Sequence, residues 1–138
     1  MTFTLPPLPY AYDALGRSTG TIHKLDGTNY IFRTAYGYPQ NPGTPGLGTV
    51  PVSQTFPDSE RVDYTYDVAG AQQSIKTTPF NGSQQTIISS VLRNARGQTT
   101  QVVYGNNAVS TNSYNASNLR LTEIKTVVGA TTLQDYLY

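Results

Sequence analysis

The sequence predicts an all-β chain, an antiparallel meander of repeated β-hairpins, and three observations predict it. Turn signals recur every 10 to 17 residues, centred at about 15, 26, 43, 59, 69, 81, 96, 106, 117 and 129. Nothing between them is long enough for a typical globular helix with its caps. The intervening segments alternate as strands should: in Val62-Asp63-Tyr64-Thr65-Tyr66 the apolar and aromatic groups share one face and the polar groups the other. Finally, Leu, Ile, Val and Phe together supply 30 of 138 residues, and most are strand formers. A sheet of about ten short strands with a thin core is the expectation.

The elements follow in order along the chain. Tyr10-Ala11-Tyr12-Asp13-Ala14-Leu15-Gly16-Arg17 begins as a strand and ends as a turn. Its Asp can accept a hydrogen bond from an amide two residues on, and its Gly can take the left-handed conformation. Thr21-Ile22-His23-Lys24-Leu25 alternates up to Asp26-Gly27, a pair that supplies the positive φ of a two-residue hairpin turn. Tyr36-Gly37-Tyr38 closes the returning strand, and residues 39–48, with three prolines and three glycines, leave the ladder as an inserted loop. A turn after Pro57 leads into Val62–Tyr66, and Tyr64-Thr65-Tyr66-Asp67-Val68-Ala69-Gly70-Ala71 repeats the first motif. Asn81-Gly82 is the next hairpin signal. Arg93-Asn94-Ala95-Arg96-Gly97-Gln98-Thr99 is a weaker third copy, and Gly105-Asn106 follows it. Tyr114-Asn115-Ala116-Ser117-Asn118-Leu119-Arg120-Leu121-Thr122 is a fourth copy with one extra residue, followed by a turn at Gly129. Tyr136-Leu137-Tyr138 opens a fifth.

The second aromatic position of the motif thus falls at 12, 38, 66, 93, 114 and 138, in steps of 26, 28, 27, 21 and 24. Arginine stands there in the third copy. That is a repeat of supersecondary size, and the whole chain reads as a single repeat segment of about five units spanning 1–138. The repeat-defining positions are Tyr12, Asp13, Gly16, Arg17, Tyr66, Asp67, Gly70, Asn94, Gly97, Tyr114, Asn115 and Arg120. Because the tyrosines track the repeat, they are expected to pack across strands rather than to stack on ligands.

These motifs resemble the YD-repeat, or Rhs-repeat, family, whose loose consensus is a Tyr-x-Tyr-Asp-x-x-Gly-Arg run followed by a hairpin. Tyr10 to Arg17 match it fully, and Tyr64 to Gly70 match with Ala71 in the arginine's place. The resemblance runs from about residue 8 to the end. It implies a continuous antiparallel sheet that forms an open segment of a hollow shell, as in bacterial Rhs and toxin-complex-type polymorphic toxins. It implies a non-catalytic role, enclosing a toxin or other polypeptide cargo. The partners are then neighbouring repeats of a longer polypeptide and the cargo, and the location is secreted or cell-surface. Family members also carry self-cleaving aspartates in a segment rich in Asp-Pro. No Asp-Pro pair occurs here, so self-cleavage is not implied. The alternative reading is a carbohydrate- or cell-surface-binding module that uses exposed tyrosines and the 39–48 loop.

Composition narrows the chemistry independently. Nine Lys/Arg against eight Asp/Glu, dispersed along the chain, argue against a nucleic-acid partner held by electrostatics. The absence of cysteine and the single histidine, His23, exclude thiolate chemistry and multi-His metal sites. No apolar run approaches a membrane span. Gly43, Gly46 and Gly48 lie among prolines without a Lys-Ser/Thr, so they form no phosphate loop. The one acidic concentration is Asp58, Glu60, Asp63 and Asp67, which read as turn, turn, outward strand and repeat turn. Arg17, Arg96 and Arg120 flank repeat turns, where carbonyls or carboxylates are their expected partners. No catalytic, metal or cofactor site is expected.

Overall fold

The computed structural model describes residues 10–37 and 49–138, so the expected 39–48 loop and Tyr38 lie outside the described residues. Eleven strands form one sheet, in sequence order and antiparallel throughout, with no helix among the described residues. They are β1 (Tyr10–Tyr12), β2 (Ser18–Leu25), β3 (Thr28–Gly37), β4 (Val50–Thr55), β5 (Arg61–Tyr66) and β6 (Gln72–Thr78). Then follow β7 (Gln85–Arg93), β8 (Thr99–Tyr104), β9 (Ala108–Tyr114), β10 (Leu121–Val128) and β11 (Thr131–Leu137). The sheet is open: β1 and β11 are its two ends and do not pair.

The connections show why the chain reverses where it does. Between β2 and β3, Asp26 (φ 49°) and Gly27 (φ 80°) both adopt positive φ, the two-residue turn whose twist matches the strands it joins. Between β10 and β11 positive φ falls on Gly129 (φ 56°), the first of the two connecting residues. Two other signals behave differently from expectation. Asn81-Gly82 does not form a two-residue turn; β6 ends at Thr78 and β7 begins at Gln85, and only Asn81 (φ 59°) takes positive φ. Pro79 accounts for this, because its ring removes a ladder donor directly after β6 while its carbonyl accepts from the Gly82 amide at 3.0 Å. At Gly105-Asn106 the left-handed residue is the next one, Asn107 (φ 65°), in a three-residue connection.

Residues paired in register share a side of the sheet. Tyr30 faces His23 and Phe32 faces Thr21; Thr34 faces Gln54, which faces Val62. One side therefore carries Tyr30, Phe32, Tyr36, Tyr64 and Tyr66. The other carries Arg33, Ala35, Ser53, Thr55, Arg61 and Asp63. The alternation read from Val62–Tyr66 thus extends across strands far apart in sequence.

The core is thin. Among the described residues only Val52 and Ala108 are buried hydrophobics, each 5% exposed, and no large side chain is fully enclosed. Every strand packs only against its neighbours in sequence. A sheet usually buries one face against another layer, and among the described residues there is no second layer. What holds the strands is the hydrogen-bonded ladder and the side chains that lie across adjacent strands.

Candidate functional site: repeat turns beneath a tyrosine face

Four repeat motifs fold into one geometry. In the first, the Asp13 amide donates to the Arg17 carbonyl at 3.0 Å and the Gly16 amide to the Asp13 carbonyl at 2.9 Å. Asp13 Oδ1 then accepts from the amides of Leu15 (2.9 Å) and Arg17 (3.0 Å). Gly16 has φ 75° and open space where a Cβ would stand, so its glycine is needed for conformation alone. Asp67 repeats this with Ala69, Gly70 and Ala71, and Asn94 with Arg96, Gly97 and Gln98. Asn115 accepts from Ser117 and Asn118, and the extra residue places Leu119 (φ 63°) in the left-handed position.

Each of these turns sits on a register shift: Tyr12 faces Ser18, Tyr66 faces Gln72, Arg93 faces Thr99 and Tyr114 faces Leu121, all beside a bulge. A fifth turn has the same backbone bonds without the motif. The Phe56 amide donates to the Glu60 carbonyl at 2.8 Å and the Ser59 amide to the Phe56 carbonyl at 3.0 Å, with Ser59 at φ 70°. The Phe56 side chain supplies no acceptor, and Asp58 Oδ1 takes the Glu60 amide at 3.0 Å instead.

The residue four after the Asx decides how tightly a turn is tied. Arg17 Nε donates to Asp13 Oδ2 at 2.7 Å, its Nη2 lies 2.6 Å from the same oxygen, and the guanidinium stands 4.0 Å above the Tyr36 ring. At the third turn a neutral pair replaces the ionic one, Asn94 Nδ2 donating to Gln98 Oε1 at 2.8 Å. The Ala71 side chain adds nothing to the second turn beyond its backbone bonds. Of the three arginines expected to meet carbonyls or carboxylates, Arg17 has a carboxylate partner, while Arg96 and Arg120 form no ion pair among the described residues.

The hydrogen bond from Arg17 is the main reason the Asp13 carboxyl is held below the ordinary 3.8; backbone amides of Arg17 and Leu15 add to it, and burial opposes it. A depressed carboxyl favours the folded turn at every pH above 3.8, and that contribution vanishes as acid carries the pH through the lower folded midpoint. Carboxyl-detected NMR is expected to place the Asp13 midpoint below 3.8, with exchange protection of the Leu15 and Arg17 amides falling in the same window. A midpoint at or above that value contradicts the tie.

The tyrosines act through their hydroxyls as well as their rings, which sequence reasoning missed. Tyr36 donates to the Ser18 carbonyl at 3.2 Å, Tyr66 to the Pro51 carbonyl at 2.5 Å and Tyr114 to the Thr99 carbonyl at 2.9 Å. In each case a tyrosine at the end of one strand reaches the beginning of the strand before it. The separations of 18, 15 and 15 residues, one hairpin each, were the available signal. Burial raises the Tyr64 hydroxyl above its ordinary value, and burial followed by the neighbouring Tyr64 does the same for Tyr66.

The acidic residues do not converge. Asp58 and Asp67 accept turn amides, Glu60 accepts from the Thr77 hydroxyl, and Asp63 is paired with Arg61 at 2.7 Å. Asp63 is half-buried in that pair rather than simply outward-facing in solvent. No group of three or more His, Asp or Glu side chains is placed to hold a metal among the described residues. His23 packs edge-on against Phe32, with ring centres 5.2 Å apart. No helix of the described residues is long and apolar enough to cross a membrane.

No family model and no curated protein matches the chain. Solved structures do. Chains in the crystal structures of TcdB2-TccC3 and TcdB2-TccC3-Cdc42 are similar at 21% identity, with TM-scores of 0.76 and 0.75, over 93% of this chain and 7% of theirs. A Photorhabdus luminescens Tc holotoxin pore, carrying a TccC3 mutation, is similar at 27% identity and a TM-score of 0.69, over 80% of this chain and 5% of that one. In fold, this open eleven-stranded sheet is similar to a short stretch of much longer toxin-complex chains.

Proposed function

We propose that the chain is a structural, non-catalytic segment of an Rhs/YD-repeat shell that surrounds a toxin or other polypeptide cargo. Tyr12, Asp13, Gly16, Arg17 and their counterparts at 66–70, 94–97 and 114–120 define about five units within a longer secreted or cell-surface protein. One observation carries this reading: among the described residues eleven strands pack only on their sequence neighbours and leave both faces without a second layer. A sheet so built buries its surface by adding further repeats, as quasi-one-dimensional arrays do. Likeness to stretches of Tc complexes at TM-scores near 0.75 supports it.

The test is thermodynamic. Among the described residues β1 and β11 are open edges, whose unpaired amides and carbonyls associate with other chains unless covered. Expressed alone, the chain is expected to melt broadly and to depend on concentration, with sedimentation showing association. A sharp, concentration-independent two-state melt of a monomer overturns the proposal.

A further inference from the structure

The cations dispersed along the sequence are gathered by the fold. Arg33 and Arg61 both pair in register with Thr55, so they occupy one row on the side opposite the tyrosines. Their Cα atoms are about 10 Å apart, two strand spacings. Lys24 and Lys76 share that side, through the register of β2 with β3 and of β5 with β6. Across β2 to β6 the one acidic strand residue on this side is Asp63. A chain with a formal net charge of +1 thus concentrates four cations against one anion on a single face.

Between the arginines runs an open groove of about 600 Å³, lined by Gly20, Ile31, Arg33, Ala35, Ser53 and Arg61 among others. Small residues form its floor: Ala35 faces Ser53 in register, and Gly20 faces Arg33. Arg61 is partly engaged by Asp63, whereas Arg33 is exposed and forms no ion pair among the described residues. An open groove flanked by guanidiniums suits carboxylates, which accept their forked N–H donors in pairs.

We infer that this groove is a binding site for an acidic segment of a polypeptide, gripped through carboxylates by Arg33 and Arg61. A protein partner is favoured over a nucleic acid by the lining. Single-stranded nucleic acids are held by aromatic rings beside a basic track, and no aromatic residue lines the groove. The tyrosines project from the opposite side. In an extended segment, Glu-x-Glu sets two carboxylates on one side about 7 Å apart, within reach of both arginines. The inference does not rest on the shell reading, since it concerns a site within one sheet.

The test uses the full chain and a fluorescently labelled peptide built on a Glu-Ser-Glu repeat. Binding measured by anisotropy is expected to weaken with added salt and to be lost when glutamine replaces every glutamate. Arg33→Gln is expected to weaken it by roughly tenfold, the worth of one charge-assisted contact, while Arg96→Gln leaves it unchanged. In the unsubstituted chain the amide resonances of Ala35 and Ser53 are expected to shift on titration, which reports the groove without any substitution. Equal binding of the glutamine peptide, an unaffected Arg33→Gln variant or unmoved Ala35 and Ser53 signals overturns the inference. Preferential binding of oligothymidylate overturns it in favour of a nucleic acid.

Discussion

Gly105→Ala is expected to open the β7–β8 hairpin locally, by about 2–4 kcal/mol, the upper range for overpacking. A Cβ built on Gly105 would stand 1.7 Å from the Thr86 carbonyl oxygen and 2.6 Å from its carbon. Both are backbone atoms, so no side-chain rotation relieves the overlap. The strand must move, and with it the bond from the Gly105 amide to the Ile87 carbonyl at 2.9 Å. Native-state hydrogen exchange is the measurement, because a sheet without a second layer opens in local units. Amides of β7 and β8 are expected to lose protection while those of β2 and β3 keep it. Gly16→Ala is the informative contrast: space is open there, and only the positive φ of 75° is strained. Unchanged protection around Ile87 in Gly105→Ala would show that the two backbones do not approach this closely.

Asp67→Ala is expected to cost the second repeat turn about 1–2 kcal/mol, the usual worth of a side chain that caps otherwise unpaired amides. It removes the Oδ1 that accepts from both Ala69 and Ala71 at 2.9 Å. The backbone frame survives, since the Asp67 amide still reaches the Ala71 carbonyl at 2.8 Å and the Gly70 amide the Asp67 carbonyl at 3.0 Å. That the same backbone frame forms around Phe56, whose side chain carries no acceptor, explains why the cost is bounded. Asp67→Asn keeps the acceptor, as Asn94 and Asn115 do, and is expected to retain most of the protection. An asparagine variant as damaged as the alanine one would mean that charge, not Oδ1 geometry, holds the turn.

These two sites differ in how far they could be read in advance. Asp67 announces itself by its place in Tyr-x-Tyr-Asp-x-x-Gly, because an Asx turn is a local event whose donors lie two and four residues away. Gly105 was legible as a turn residue, but for another reason than the one that matters. Its demand for glycine comes from Thr86, nineteen positions earlier, and no local pattern reveals that. The Asn81-Gly82 signal failed similarly: the dipeptide favours a tight turn, and neighbouring Pro79 lengthens it. The turn expected after Pro57 is present without the Tyr-Asp motif, made by backbone bonds, a left-handed Ser59 and the Asp58 carboxylate.

Sequence alone determined the class of fold, the antiparallel order and most of the reversals, because these follow from period-two alternation and from residues that favour positive φ. It also separated the two sides of the strand at Val62–Tyr66. Only the tertiary structure decided which strands' sides join into a common face, since one bulge per repeat turn resets the register. That register aims Tyr36, Tyr66 and Tyr114 at carbonyls one strand back, and it lines up Arg33 with Arg61. Composition could only average those charges to near neutrality. Their gathering on one side is a property of pairing between strands, which exists only once the sheet has formed.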